Sequence, residues 1–223
     1  MIVDGRAEIA TAFISSGNFY EAVGVTATLG RTLVPDDDRP SAPPAAVISH
    51  RYWRTRFAGD PRVLGTVVRV NNVPLSIVGV LSPTFTGVQR TISEPPDIGM
   101  PLALDPQLNP GQTSGVALTR LEPSGRLQQP THWWLQIMGR LKPGVTFTQV
   151  ESNFGTVFQQ TARAGLDSYL ASLPPEERRL SSNQNRTDVP RLAADSGSRG
   201  IYDNRWTSDS THTTWCSFAS IPS

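Results

Sequence analysis

Residues 66–80 (TVVRVNNVPLSIVGV) constrain the fold more than any other stretch of this chain. Two runs rich in β-branched residues flank Asn71-Asn72, and asparagine tolerates the positive φ that a two-residue hairpin turn demands. The pattern predicts a β-hairpin. An isolated hairpin is marginal in water, so this one needs further strands or a helix against its apolar face. The first half of the chain supplies both. Residues 6–16 (RAEIATAFISS) place Ala7, Ile9, Thr11, Phe13 and Ser15 on one alternating face and predict a strand, broken by Gly17-Asn18. Residues 19–23 fit a helical turn ending at Gly24. Residues 45–48 form a short apolar strand, and Ser49 then fits a helix N-cap. The helix is expected over residues 50–57, with Trp53 and Phe57 four apart on one face. Gly59 suits the left-handed residue that ends it. Residues 82–87 read as a loop and residues 97–104 as another short strand.

The second half repeats this mixture. Residues 109–129 are rich in Gly, Pro, Ser and Gln and read as an exposed insertion. Residues 132–141 (HWWLQIMGRL) alternate with both faces apolar, which predicts a central strand carrying Trp133 and Trp134 in the core. Lys142-Pro143-Gly144 is a turn, and Thr146 with Gln149 has capping-box spacing. Val150, Phe154, Val157 and Phe158 then form one apolar helical stripe suited to packing on a sheet, with Gly165 as the expected end. Pro174-Pro175 opens a polar loop, and residues 188–192 suggest one more strand. The fold class read from these elements is α+β.

Composition narrows the function classes. Net charge is +1, from 20 basic and 19 acidic residues, which leaves no electrostatic footprint for nucleic acid or for an anionic membrane surface. The single cysteine, Cys216, rules out an intrachain disulfide and a cysteine-rich zinc site. No run of about 18–20 apolar residues is present to span a bilayer. The N-terminus lacks the apolar core of a signal peptide, so the sequence taken alone shows no route out of the cytoplasm.

No reaction centre emerges from the motifs. His50, His132 and His212 show no metal-ligand spacing. Asp36-Asp37-Asp38 is the densest acidic run, but a calcium loop needs alternating ligands with Gly and Glu at set positions, so the run reads as a solvated loop. Ser49-His50 is a nucleophile–base pair only by adjacency; at a helix start, a cap is the better reading. Cys216 near His212 lacks anything that would activate a thiol. Trp133-Trp134 could stack on a sugar or base, but strand spacing favours core. Glu94 and Asp97, flanking Pro95-Pro96, read as a turn. No phosphate-cradling loop is visible. The sequence therefore assigns no catalytic, cofactor-binding or metal residue and no cofactor.

A series of short segments carries more information in its order. It runs Ser16-Gly17-Asn18-Phe19-Tyr20, Val23-Gly24-Val25, Leu29-Gly30-Arg31, Val47-Ile48-Ser49-His50 and Tyr52-Trp53. It continues with Arg56-Phe57-Ala58-Gly59-Asp60-Pro61, Val63-Leu64-Gly65, the Asn71 hairpin and Ile77-Val78-Gly79-Val80. Residues 97–102, Gly139-Arg140-Leu141-Lys142-Pro143-Gly144-Val145 and Ser196-Gly197-Ser198-Arg199-Gly200 complete it. Over residues 5–205 this series resembles the periplasmic core domain of MacB-like, FtsX-type ABC-transporter permeases, in particular the permease group abundant in acidobacteria.

The resemblance implies a porter-like α+β subdomain with an inserted β-rich subdomain. The domain would span residues 1–205, with about 20–125 as the insert and about 132–205 as the porter-like part. Residues 206–223 would be a polar, disordered tail. Gly24, Gly30 and Gly65 would serve as turns, and Trp53 and Phe57 as core. The resemblance further implies a non-catalytic extracytoplasmic domain on the periplasmic face of the inner membrane. It would transmit conformational change or contact a substrate or partner. Its partners would be the membrane-embedded permease helices and, indirectly, an ABC ATPase; a homodimer stays open, and nucleic acid is not expected. Relatives carry a membrane helix and a strand–helix unit before this point and a membrane helix after it, so truncation at both ends is expected. The alternative reading is a free-standing extracytoplasmic ligand-binding module.

Overall fold

The computed structural model describes residues 1–3, 5–88, 95–109, 135–180, 189, 191–197, 200 and 213–218, with only the backbone at 195 and 213–218. The chain divides into two compact units, residues 1–127 and 128–223. Both mix strands and helices, in keeping with the α+β class.

The first unit is built on an eight-stranded sheet. Its strands are β1 (Ile2–Val3), β2 (Arg6–Ala7), β3 (Ala12–Ser15), β4 (Ala27–Gly30), β5 (Ala45–Ile48), β6 (Val67–Val70), β7 (Val73–Leu81) and β8 (Ile98–Pro101). Three helices accompany them: α1 (Phe19–Val23), α2 (His50–Arg56) and α3 (Asp105–Leu108). The strands lie in the order β2-β1-β6-β7-β5-β8-β3, with β4 also pairing β7. The expected hairpin is β6–β7, in register from Val67 opposite Ser76 to Val70 opposite Val73. Its turn residues sit at φ 46° for Asn71 and 68° for Asn72, the left-handed pair that asparagine accommodates.

Strand β7 organises the unit because three strands bond to it. β6 and β4 run antiparallel to it, and β5 runs parallel. Where β4 meets β7 the backbones approach so closely that a Cβ on Gly79 would overlap the Arg31 carbonyl oxygen. A Cβ on Gly30, itself at φ 69°, would overlap the Val78 carbonyl oxygen. Gly30 is thus a close-crossing residue at a strand end, while Gly24 and Gly65 occupy the turns expected of them.

Both faces of the sheet are covered at its centre. Ala46, Ile48, Leu75, Ile77, Ile98 and Met100 point into one apolar cluster, and Trp53 and Phe57 of α2 pack against it. Ala45, Val47 and Leu81 point into a second cluster with Tyr20 and Leu33. All four residues of β5 are buried, which explains why this strand reads as a continuous apolar run. Ser49 caps α2 as expected, its hydroxyl accepting from the Tyr52 N–H at 3.1 Å. Replacing it should expose that donor: Ser49→Ala is expected to lower the stability of this unit by about 1 kcal/mol in a urea titration.

The N-terminal strand expected over residues 6–16 is split. Strand pairing stops after Ala7 and resumes at Ala12, and Ile9 is fully exposed. The alternating pattern continues through the gap, but β2 pairs with β1 while β3 pairs with β8 at the far side of the sheet, so the chain must leave one edge to reach the other.

The second unit contains β9 (Ile137–Gly139), α4 (Phe147–Ser172), α5 (Pro175–Arg178), β10 (Arg191–Ser196) and β11 (Thr213–Phe218). The three strands are parallel in the order β10-β11-β9. α4 joins β9 to β10, as a parallel crossover requires. Pro143 and Gly144 form the turn before it, with Gly144 at φ 79°. The capping box is present in full, with the Gln149 N–H donating to the Thr146 hydroxyl and the Gln149 carboxamide oxygen accepting from the Thr146 N–H.

Four expectations change here. α4 runs past Gly165 to Ser172 and stops at Leu173, whose extended ψ of 144° is what a following proline imposes. Its buried residues are Val150, Ala162 and Leu166, followed by buried Leu173 just past its end, while Phe154 and Val157 are exposed. β9 is an edge strand among the described residues, with Leu135 and Ile137 exposed. Residues 213–218, within the span expected as a polar tail, pair as β11; the sequence TTWCSF has the β-branched and aromatic content a strand prefers.

Candidate functional site

The catalytic pairs suggested by sequence adjacency are not brought together among the described residues. The Ser49 hydroxyl is engaged as a helix cap, and the His50 ring instead stands edge-on to Trp53, 5.5 Å between centroids. Cys216 lies on β11 by its backbone, while His132, Trp133, Trp134, His212 and Glu94 fall outside the described residues. Among the described residues no group of three or more His, Cys, Asp or Glu converges on a metal-sized space.

The acidic run 36–38 is a structural clasp, which corrects its reading as a solvated loop. Pro35–Asp38 form a 3₁₀ turn. Asp37 receives both terminal nitrogens of Arg31, at 2.6 and 2.8 Å, and the Val34 N–H at 2.9 Å. Those contacts hold its carboxyl below the usual carboxylate range against the opposing effect of burial, the largest single influence on it. Asp38 accepts from the Ala103 N–H at 2.7 Å and from the Gly17 N–H at 3.2 Å, joining segments far apart in sequence. Only Asp36 remains at the surface, paired with Arg39. Proline flanking suggested a loop correctly; the distant amides that fill the carboxylates left no trace in sequence. Asp38→Ala should strand two part-buried N–H groups, with an expected loss of about 1–3 kcal/mol by chemical denaturation.

Asp97 acts similarly. One oxygen pairs with Arg51 at 2.7 Å and the other accepts from the Thr11 N–H at 3.1 Å, so this residue ties the start of β3 to α2.

Sequence reading missed a polar cluster centred on Glu8. One Glu8 oxygen accepts from the Tyr52 hydroxyl and the other from Arg56 Nε at 3.0 Å. Arg56 also donates to the Val3 carbonyl at 3.2 Å and lies 5.6 Å from the centroid of Phe57. Burial first, and then the Glu8 carboxylate, raise the Tyr52 phenol well above its ordinary range. The available signal was the i, i+4 spacing of Tyr52 and Arg56 on α2, which puts both on one face. Nothing in the sequence identified Glu8 as their partner.

Glu8 also borders an open cleft of about 360 Å³, whose lining includes Ile2, Ala7, Ile9, Arg69 and Asn72. With both Glu8 oxygens engaged by α2, the cleft presents a guanidinium, a carboxamide and apolar side chains.

The model of the family described as MacB-like periplasmic core domain matches residues 2–157. Among solved structures, the periplasmic region of MacB from Actinobacillus actinomycetemcomitans is similar at 14% identity and a TM-score of 0.48, covering 78% of this chain and 71% of that one. No curated protein matches the sequence. A family match that extends from β1 into α4, over most of the chain, places this protein in the family of MacB-like periplasmic core domains.

Proposed function

We propose that this chain is a non-catalytic extracytoplasmic domain of an ABC-transporter permease, lying on the periplasmic face of the inner membrane, where it passes conformational change to a substrate or partner. The observation that carries the reading is the family match across residues 2–157. The structure supports it physically. A sheet whose centre is buried on both faces and bonded through β7 to three neighbouring strands deforms little, so movement at one edge reaches the other. In this reading membrane-embedded permease helices are the direct partners, an ABC ATPase is reached through them, and a second copy of the chain remains an open partner. No helix among the described residues is long and apolar enough to cross a membrane, so the helices that anchor the domain would lie outside them.

Protease accessibility tests the location. With the gene expressed in its native surroundings, protease added to intact spheroplasts should cleave this domain while sparing a cytoplasmic marker. Protection until the spheroplasts are lysed would overturn the reading. Crosslinking in the same cells should recover permease helices together with the ATPase; recovery of the domain without either would refute the proposed partners.

A further inference from the structure

The cleft beside the hairpin has a composition that the transport reading does not use. Ile2 on β1 stands directly opposite Arg69 on β6 and also opposite Ala7 on β2. The three therefore form one cross-strand row on a single sheet face. It is the face turned away from the core, since the alternating neighbours Val3 and Val68 are buried. Two strand spacings separate the ends of this row, about 10 Å. Exposed Ile9 lies two residues beyond Ala7, and exposed Val67 two residues before Arg69.

Charge on this face is one-sided. Arg69 touches the Asn72 carbonyl at 3.5 Å, and among the described residues no carboxylate pairs with it. Glu8, the acidic residue in the cleft lining, directs both oxygens to Tyr52 and Arg56. The cleft thus offers the Arg69 guanidinium at one end of an apolar row, with the Met1 α-ammonium, which donates to the Glu8 carbonyl at 2.8 Å, also in its lining; its volume of about 360 Å³ is within the range of small-molecule sites.

We propose that this cleft binds an apolar monocarboxylate, with the carboxylate on the Arg69 guanidinium and a tail of about 10 Å lying across Ile2 and Ala7 toward Ile9. Guanidinium matches carboxylate with two parallel hydrogen bonds, which a lysine in its place does not reproduce. The tail covers aliphatic surface that the fold leaves in water.

Octanoate, well below its micelle concentration, is the probe, read by amide chemical shifts of the full chain. Saturable shifts are expected on residues of β1, β2 and β6, with acetate and octanol each binding about tenfold or more weakly because one lacks the tail and the other the charge. Arg69→Gln should weaken octanoate about tenfold and leave octanol unchanged, with Arg69→Lys between them. Arg69 is exposed, so an unchanged melting curve will show that the variants fold. Non-saturable shifts, shifts spread over the whole sheet, or equal loss of octanoate and octanol binding in Arg69→Gln would each overturn the proposal. Binding to anionic vesicles without binding to monomeric octanoate would also overturn it, in favour of a membrane surface. Each result is independent of where the domain resides in the cell.

Discussion

Gly79→Ala is expected to unfold the first unit at markedly lower denaturant, with a loss of about 3 kcal/mol or more. The added methyl group would overlap the Arg31 carbonyl oxygen and come within 2.8 Å of its carbon. These are backbone atoms at the crossing of β4 over β7, so no side-chain rotation relieves the overlap. Either β4 lifts off, withdrawing Leu29 from the cluster around Ile48, Leu75 and Ile77, or β7 bends and weakens its pairing with β5. Gly155→Ala supplies the contrast. Gly155 lies inside α4 with nothing within 4 Å of a new Cβ, so the substitution should stabilise the second unit by about 0.5–1 kcal/mol through helix propensity alone. Urea titrations that follow each unit separately check both. A Gly79→Ala loss no larger than a surface substitution would show that the strands do not cross so closely.

The second large effect is alkaline unfolding. Tyr20 and Tyr52 are 1% and 7% exposed, and both phenols are held above their ordinary range. Burial is the leading cause in each case, and Glu8 reinforces it at Tyr52. Up to about pH 9, one unit below the ordinary tyrosine value, folded and unfolded chains keep both protons, and the two phenols contribute almost no pH dependence. Above that, the unfolded chain releases protons that the folded chain retains, so stability falls as pH rises, toward about 1.4 kcal/mol per pH unit for each phenol. Denaturant midpoints measured between pH 8 and 11 should stay flat and then drop. Tyr52→Phe should remove roughly half of the slope, although it also breaks the contact with Glu8 and lowers the plateau. An unchanged slope in both Tyr20→Phe and Tyr52→Phe would rule out this origin.

Local structure was largely legible in the sequence because its causes lie within a few residues. The Asn71-Asn72 turn, the Ser49 cap, the Thr146–Gln149 box and the Pro143-Gly144 turn each follow from backbone preference or a hydrogen bond spanning at most three residues. The polar sites were much less legible. Glu8 reaches 44 and 48 residues along the chain to Tyr52 and Arg56, and Asp38 reaches 65 residues to Ala103. No local pattern encodes such pairings. The end of α4 shows how a local signal can lose to packing. Gly165 opposes helix, but Leu166 and Leu173 continue the buried face beyond it, and the chain leaves the helix only at Leu173, before Pro174.

The hairpin at residues 66–80 marks where the two kinds of information divide. By itself the sequence determined that these residues pair about an Asn-Asn turn, because turn geometry and β-branched content are intrinsic to the segment. Only the tertiary structure decided that β7 would also accept β5 and β4, and that Gly79 must lack a side chain where β4 crosses. It also decided that Arg69 would stand in line with Ile2 and Ala7 beside an open cleft. Those outcomes depend on strands that meet from distant parts of the chain, and the backbone hydrogen bonds joining them carry no side-chain code.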